Sequence, residues 1–161
     1  MANTYSQIYV HVNFAVHARE SLLKKHFKKC VHKYITGIIH QRGHQLIAMN
    51  SMPDHIHLLV GLKPDVALSD LVRDIKAISA KFINENKWFR GRFNWQEGFA
   101  AFSYSHSQLD RVVRYIQNQE THHAKMNFRD EYLQLLRKFH IEYDERYILR
   151  SPEEPEDTGR S

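Results

Sequence analysis

The stretch His44-Gln45-Leu46-Ile47-Ala48-Met49-Asn50-Ser51-Met52-Pro53-Asp54-His55-Ile56-His57-Leu58-Leu59-Val60-Gly61-Leu62 decides the fold. Residues 44–50 and 55–62 read as strands, each a short, mostly apolar run flanked by turn residues. Between them Ser51-Met52-Pro53-Asp54 reads as a turn, because Pro53 has no N–H to give to a ladder. Residues 44–62 are therefore expected to form a hairpin. Side chains alternate along a strand, so His55 and His57 share one face while Ile56, Leu58 and Val60 share the other.

Upstream, residues 5–16 alternate Ile8, Val10, Val12 and Phe14 against Tyr9, His11, Asn13 and Ala15, which predicts a half-buried strand. From Glu20 to about Gln41, Leu22, Leu23, Phe27, Cys30, Val31, Tyr34, Ile35 and Ile38 recur at helical spacing. Gly43 closes that basic helix, and Cys30 falls on its apolar stripe. Downstream, Ser69 is placed as the cap of a second helix bearing Leu71, Val72, Ile75, Ile78, Ser79 and Phe82. Residues 84–97 read as a loop and 98–105 as a fourth strand. A third helix is expected from Ser107 or Gln108 to about Lys125, and a fourth from Phe128 to Phe139. The order β-α-β-β-α-β predicts an α+β, ferredoxin-like split fold. It has a four-stranded antiparallel sheet and appended C-terminal helices. The crossover helices belong against Ile56, Leu58 and Val60, which leaves the histidines on the free face. Residues 1–150 read as one domain. Residues 151–161, rich in Pro, Glu, Asp, Gly and Ser, read as an acidic, disordered tail.

With 42% hydrophobic and 25% charged residues among 161, the chain has ordinary globular composition. Its single cysteine, Cys30, excludes an intramolecular disulfide and any multi-cysteine metal site. No apolar run approaches the ~18 residues of a membrane span, and no secretory signal is visible at the start. A soluble, cytoplasmic protein is the expectation. The formal charge is +5. Residues 19–42 concentrate Arg19, Lys24, Lys25, Lys28, Lys29, Lys33 and Arg42 against Glu20 alone. That distribution suits a polyanionic partner, although a solvated helix face explains it equally well.

His55 and His57 are separated by about 6.6 Å between Cα atoms on an ideal strand, within reach of one metal ion. Simple polar alternation gives the same pattern. Tyr115 and Gln119, four residues apart, share a helix face. Either alone is unremarkable in a helix. Together the set is chemically coherent. A phenol with a pKa of about 10 becomes a useful nucleophile when held beside a cation or base. A divalent ion on two imidazoles and an amide oxygen can polarise a phosphate. Attack on a phosphodiester would then conserve the bond for rejoining. Around this set, Trp88-Phe89-Arg90-Gly91-Arg92-Phe93-Asn94-Trp95 offers rings for base stacking, with Arg90 and Arg92 for phosphates. Trp95 and Phe93 read rather as pins to the core. Lys24, Lys25, Lys28 and Lys29 form a candidate DNA-binding surface. His122 and His123 read as neighbours of the site or as surface histidines. His11 or Asn13 lines it. Asp54 is not counted as a ligand.

Met52-Pro53-Asp54-His55-Ile56-His57-Leu58-Leu59-Val60 resembles the His-hydrophobic-His motif of single-tyrosine HUH transposases of small bacterial insertion sequences, the IS200-like transposases. Gly98-Phe99-Ala100-Ala101-Phe102-Ser103 and Tyr115-Ile116-Gln117-Asn118-Gln119, with Glu120, His122 and His123, resemble later motifs of that family in the same order. The resemblance spans about residues 5–150. It implies cleavage and rejoining of single-stranded DNA at hairpin-marked element ends through a 5′-phosphotyrosine. It also implies Mg²⁺ or Mn²⁺ held by His55, His57 and Gln119, with Tyr115 as nucleophile. A homodimer is implied too, in which the tyrosine helix of one subunit can complete the other's site. An imidazole-rich ligand set is unusual for Mg²⁺. The alternative is a non-catalytic or domesticated single-stranded nucleic-acid-binding protein with the same fold.

Overall fold

A computed structural model describes residues 3–149; the tail expected over 151–161 lies outside the described residues. Four strands, β1 (Tyr9–Ala15), β2 (Gln45–Met52), β3 (His55–Gly61) and β4 (Ala100–Tyr104), form one sheet in the order β2-β3-β1-β4. Every pairing is antiparallel. Two crossover helices, α1 (Lys28–Gln41) and α2 (Leu68–Asn86), pack on one face. There Val10, Val12, Phe14, Ile56, Leu58 and Val60 meet Val31, Ile35, Ile39, Leu71 and Ile75 in the main core. The split α+β arrangement is as expected.

The hairpin turn is shorter than its sequence suggests. Ser51 and Met52 pair with Ile56 and His55, so only Pro53 and Asp54 turn the chain. Pro53 lacks an N–H, but the residues before it keep theirs and the ladder runs up to it. The tight turn fixes where His55 enters the sheet.

The first helix begins at Lys28, not near Glu20. Ala18 and Arg19 adopt left-handed φ values of 52° and 53°, and the backbone N–H of Leu23 donates to the Pro53 carbonyl at 2.8 Å. Residues 20–27 are thereby tied across the hairpin turn, with a 3-10 turn at Lys25–Phe27. Lys24 and Lys25 therefore precede the helix, and only Lys28 and Lys29 lie on it. Cys30 is exposed rather than in the core; Val31, Ile35, Ile38 and Ile39 form the buried face. Ala67, without a side-chain cap, precedes α2, so Ser69 sits inside the first turn rather than capping it. The same helix runs on through Asn86, so the following loop starts later than expected.

Of the occupants open to the second sheet face (a ligand, a partner or the appended helices), it is the helices that take it, so the histidines are not on a free face. The expected third helix breaks at Asn118 (φ −93°, ψ 23°) into α3 (Leu109–Gln117) and α4 (Gln119–His123), followed by α5 (Phe128–Lys138). Val112 and Ile116 of α3 cover Ala48 and Leu59. Leu135 and Leu136 of α5 cover Ala100 and Phe102, and Phe128 covers Ala15. An amphipathic helix must bury its apolar stripe, and this face was the surface available. The first strand, expected to be half-buried, is consequently buried on both sides from Val10 to Ala15.

In the aromatic loop, Phe93 is fully buried and the Trp95 indole N–H donates to Ser79 Oγ at 2.9 Å. Trp88 stacks on Phe27. The rings pin the loop, and Arg90 and Arg92 remain exposed.

Candidate metal and tyrosine centre

Register brings the site together. His55 lies opposite Ala15, and His57 lies between Asn13 of β1 and Asn50 of β2. Both imidazoles are 0% exposed, sealed by α4 and α5. His55 donates its Nδ1–H to Asp54 Oδ1 at 2.7 Å. Asp54 is thus the partner behind His55, as its position beside the turn permits. The second ring is held in the same way: His57 Nδ1 and His11 Nε2 are 2.8 Å apart. Each histidine therefore has one nitrogen fixed and turns Nε2 toward the helices.

Two groups meet those Nε2 atoms, and His123 and Tyr115 gather on the second of them. Gln119 Oε1 is 3.3 Å from His55 Nε2. Glu131 Oε1 is 3.0 Å from His57 Nε2 and 3.1 Å from His123 Nε2. The hydroxyl of Tyr115 donates to the other oxygen, Glu131 Oε2. The Gln119 amide N–H₂ reaches Glu131 Oε2 at 3.4 Å and the Tyr115 carbonyl at 3.3 Å. The contact to Tyr115 preserves their shared face across the break at Asn118. His55, His57, Tyr115 and Gln119 of one chain are thus brought together.

Burial sets the electrostatics. It pushes His57 down to about 4, against the opposing pull of Glu131, so this ring is neutral near pH 7. His11 is lowered for the same reason, helped by His57. For Glu131, burial works upward. Hydrogen bonds from His123, His57 and Tyr115 outweigh it, and the carboxyl stays ionised well below the usual range. Tyr115 is raised, first by burial and then by the Glu131 charge. As folded, the phenol keeps its proton.

The donor set fits a divalent cation. One ligand atom each from His55, His57, His123 and Glu131 lies within 4.8 Å of the others. The His55 and His57 rings have their outer nitrogens held by Asp54 and His11, the usual support behind metal-bound imidazole. A fully buried carboxylate set among imidazoles also invites a positive charge.

Glu131 went unrecognised in the sequence. A signal for it exists: Phe128, Glu131 and Leu135 share a helix stripe, and an acid on a buried stripe is anomalous. His123, with its side chain 8% exposed, belongs to the cluster. His122 lies at the edge, its Nε2 3.1 Å from Glu131 Oε2. His11 supports His57, while the Asn13 side chain is buried without a hydrogen-bond partner among the described residues. Lys24, Lys25, Lys29, Arg90 and Arg92 are exposed and outside the cluster, as is half-buried Lys28. Tyr115 edges an open cleft of about 470 Å³, lined also by Asn118, Thr121, His122, Lys125 and Met126.

Comparison with known proteins supplies the context. The family described as "Transposase IS200 like" matches residues 4–119. The ISDra2 transposase TnpA of Deinococcus radiodurans is 27% identical over 120 residues, covering 70% of this chain and 84% of that protein. A crystal structure from Deinococcus radiodurans R1, assigned as a transposase, superimposes with a TM-score of 0.59 at 24% identity. It covers 74% of this chain and 95% of its own. A REP-associated tyrosine transposase bound to a REP hairpin gives 0.59 at 18% identity, over 78% of this chain and 74% of its own. These two solved structures share the fold.

Proposed function

The chain belongs to the IS200-like transposase family, and from that premise we propose that it cuts and rejoins single-stranded DNA at hairpin-marked element ends, with Tyr115 as the nucleophile. The observation that carries this reading is the position of the Tyr115 hydroxyl. It lies over the imidazole cluster and opens onto a cleft bearing His122 and Lys125. A DNA strand entering there would meet the phenol, with Lys125 available to a phosphate.

The reaction balances simply. Tyr115 Oη forms a bond to phosphorus as the bond from phosphorus to the 3′ oxygen breaks, and that oxygen leaves as a hydroxyl after taking a proton from water. The phenolic proton departs along its hydrogen bond to Glu131. The product is a 5′-phosphotyrosine, and attack by a 3′-hydroxyl on it reverses the step on a new strand. Burial and the Glu131 charge both oppose losing that proton. A divalent ion held by His55, His57 and Gln119 would supply the charge that favours the phenolate and the crowded phosphate. Gln119 braces the tyrosine through its carbonyl.

His55, His57, Tyr115 and Gln119 lie together within a single copy. In the homodimer that the family resemblance implies, the tyrosine helix of one copy can also serve the other's site.

The test is a labelled single-stranded hairpin end with Mn²⁺, followed by denaturing electrophoresis. The parent forms a denaturant-resistant adduct. Tyr115→Phe forms none yet still retards the hairpin in a native gel. Cleavage by Tyr115→Phe at the parent's rate overturns the assignment. Hairpin binding by the parent with no adduct and no cleavage favours the non-catalytic binder.

A further inference from the structure

The family match ends at residue 119, yet two of the groups nearest the histidine pair come later in the chain. Glu131 is 0% exposed, and its Oε1 lies 3.0 Å, 3.1 Å and 3.9 Å from the Nε2 atoms of His57, His123 and His55. Its surroundings are imidazoles, an amide and a phenol. A carboxylate so placed has lost its hydration without gaining a permanently charged partner, which is costly unless a cation shares the space.

We propose that Glu131 and His123 complete the cation site that His55 and His57 begin, so that one divalent ion ties α4 and α5 to the sheet. The proposal rests on the functional reading above and adds to its ligand set. Gln119 keeps its place beside the histidine pair and also positions the tyrosine. Its amide group reaches the Tyr115 carbonyl and Glu131 Oε2, while its Oε1 stands against His55. Glu131 has the geometry to serve both halves of the centre, with Oε1 toward the imidazoles and Oε2 on the Tyr115 hydroxyl. The nucleophile is then held by a side chain that the ion itself fixes. Three imidazoles against one carboxylate make a nitrogen-rich set. Mg²⁺ holds to oxygen and to its waters, so Mn²⁺, Co²⁺ or Zn²⁺ suits it better.

A second consequence is mechanical. Residues of β3, α4 and α5 would share one ion, so binding joins the C-terminal cover to the sheet. Amide exchange in Phe128–Lys138 should slow when the ion is added.

The experiment uses the full chain and Mn²⁺ alone, with affinity from calorimetry and α5 protection from hydrogen exchange. The parent binds Mn²⁺ well ahead of Mg²⁺ and protects α5. Removing a partner behind a ligand costs roughly 10–100-fold in affinity, so Glu131→Gln, which removes a ligand, should lose at least as much along with the protection. His123→Ala should lose at least tenfold and carries the test should Glu131→Gln fail to fold. Parent-like Mn²⁺ affinity in Glu131→Gln and His123→Ala, with binding lost in His55→Ala, overturns this ligand set and leaves the transposase reading standing. A parent that binds no divalent ion overturns both.

Discussion

A histidine on a wetted sheet face can be truncated almost without cost; one sealed beneath a helix cannot. On a free face, His55→Ala and His57→Ala would cost little stability. Both rings are in fact fully buried, and His55 stacks on Phe128 with centroids 3.9 Å apart. His55→Ala should therefore lower unfolding stability by about 2–4 kcal/mol through a cavity and an orphaned Asp54. Urea denaturation without added metal measures it, and a loss under 0.5 kcal/mol by the same scale would contradict the burial. Asp54 carries a separate prediction. It orients His55 by accepting the Nδ1–H, so Asp54→Asn should weaken Mn²⁺ binding about 10–100-fold. Calorimetry checks this, and unchanged affinity would show that the contact does not set the ring.

At the scale of elements, the strands and crossovers could be read directly, because each pairs a local period with one buried face. The hairpin carrying His55 and His57 is the clearest case. The start of α1 could not. Leu22, Leu23 and Phe27 have helical spacing, but a hydrogen bond from Leu23 to Pro53, thirty residues on, claims that segment. No local pattern encodes such a contact. Glu131 stayed hidden for a related reason. Its role exists only once α5 is laid over β3, and sequence shows the helix without its docking partner. That docking can be tested by Asn127, whose side chain accepts the Asp130 N–H at 2.8 Å and caps α5. Asn127→Ala should cost about 1 kcal/mol and loosen Glu131 along with the helix. Faster amide exchange across α5, with β1 and β3 unchanged, is the expected signature. Uniform loosening of the whole chain would mean that α5 is not a separable cover.

Across the whole molecule, helices packed on the sheet bury polar groups that would otherwise stand in water, and acid stability follows from that. His32 gives the cleanest case, away from the cation site. Its Nε2 lies 2.7 Å from Ser51 Oγ, between α1 and β2. Burial and then the Lys28 charge push it from 6.5 down to about 4. In the unfolded chain the ring takes a proton near 6.5; in the folded protein it resists until about 4. Between those values the unfolded state binds more protons, so stability is fully present above pH ~6.5 and drains away as the pH falls toward ~4. At roughly 1.4 kcal/mol per unit, His32 alone accounts for up to about 3 kcal/mol, less whatever solvent screening its partly open ring retains. His57, also down to about 4, pulls the same way. Asp54 and Glu131, held low, add their losses only at more acidic pH. Metal-free protein should thus show a urea midpoint that drops steadily from pH 6.5 to 4. His32→Gln keeps a hydrogen-bonding group for Ser51 but cannot titrate, so its curve should be shallower by up to one proton over that window. Parallel curves for parent and variant would mean that His32 reaches water in the folded state and that the α1–β2 seam is open.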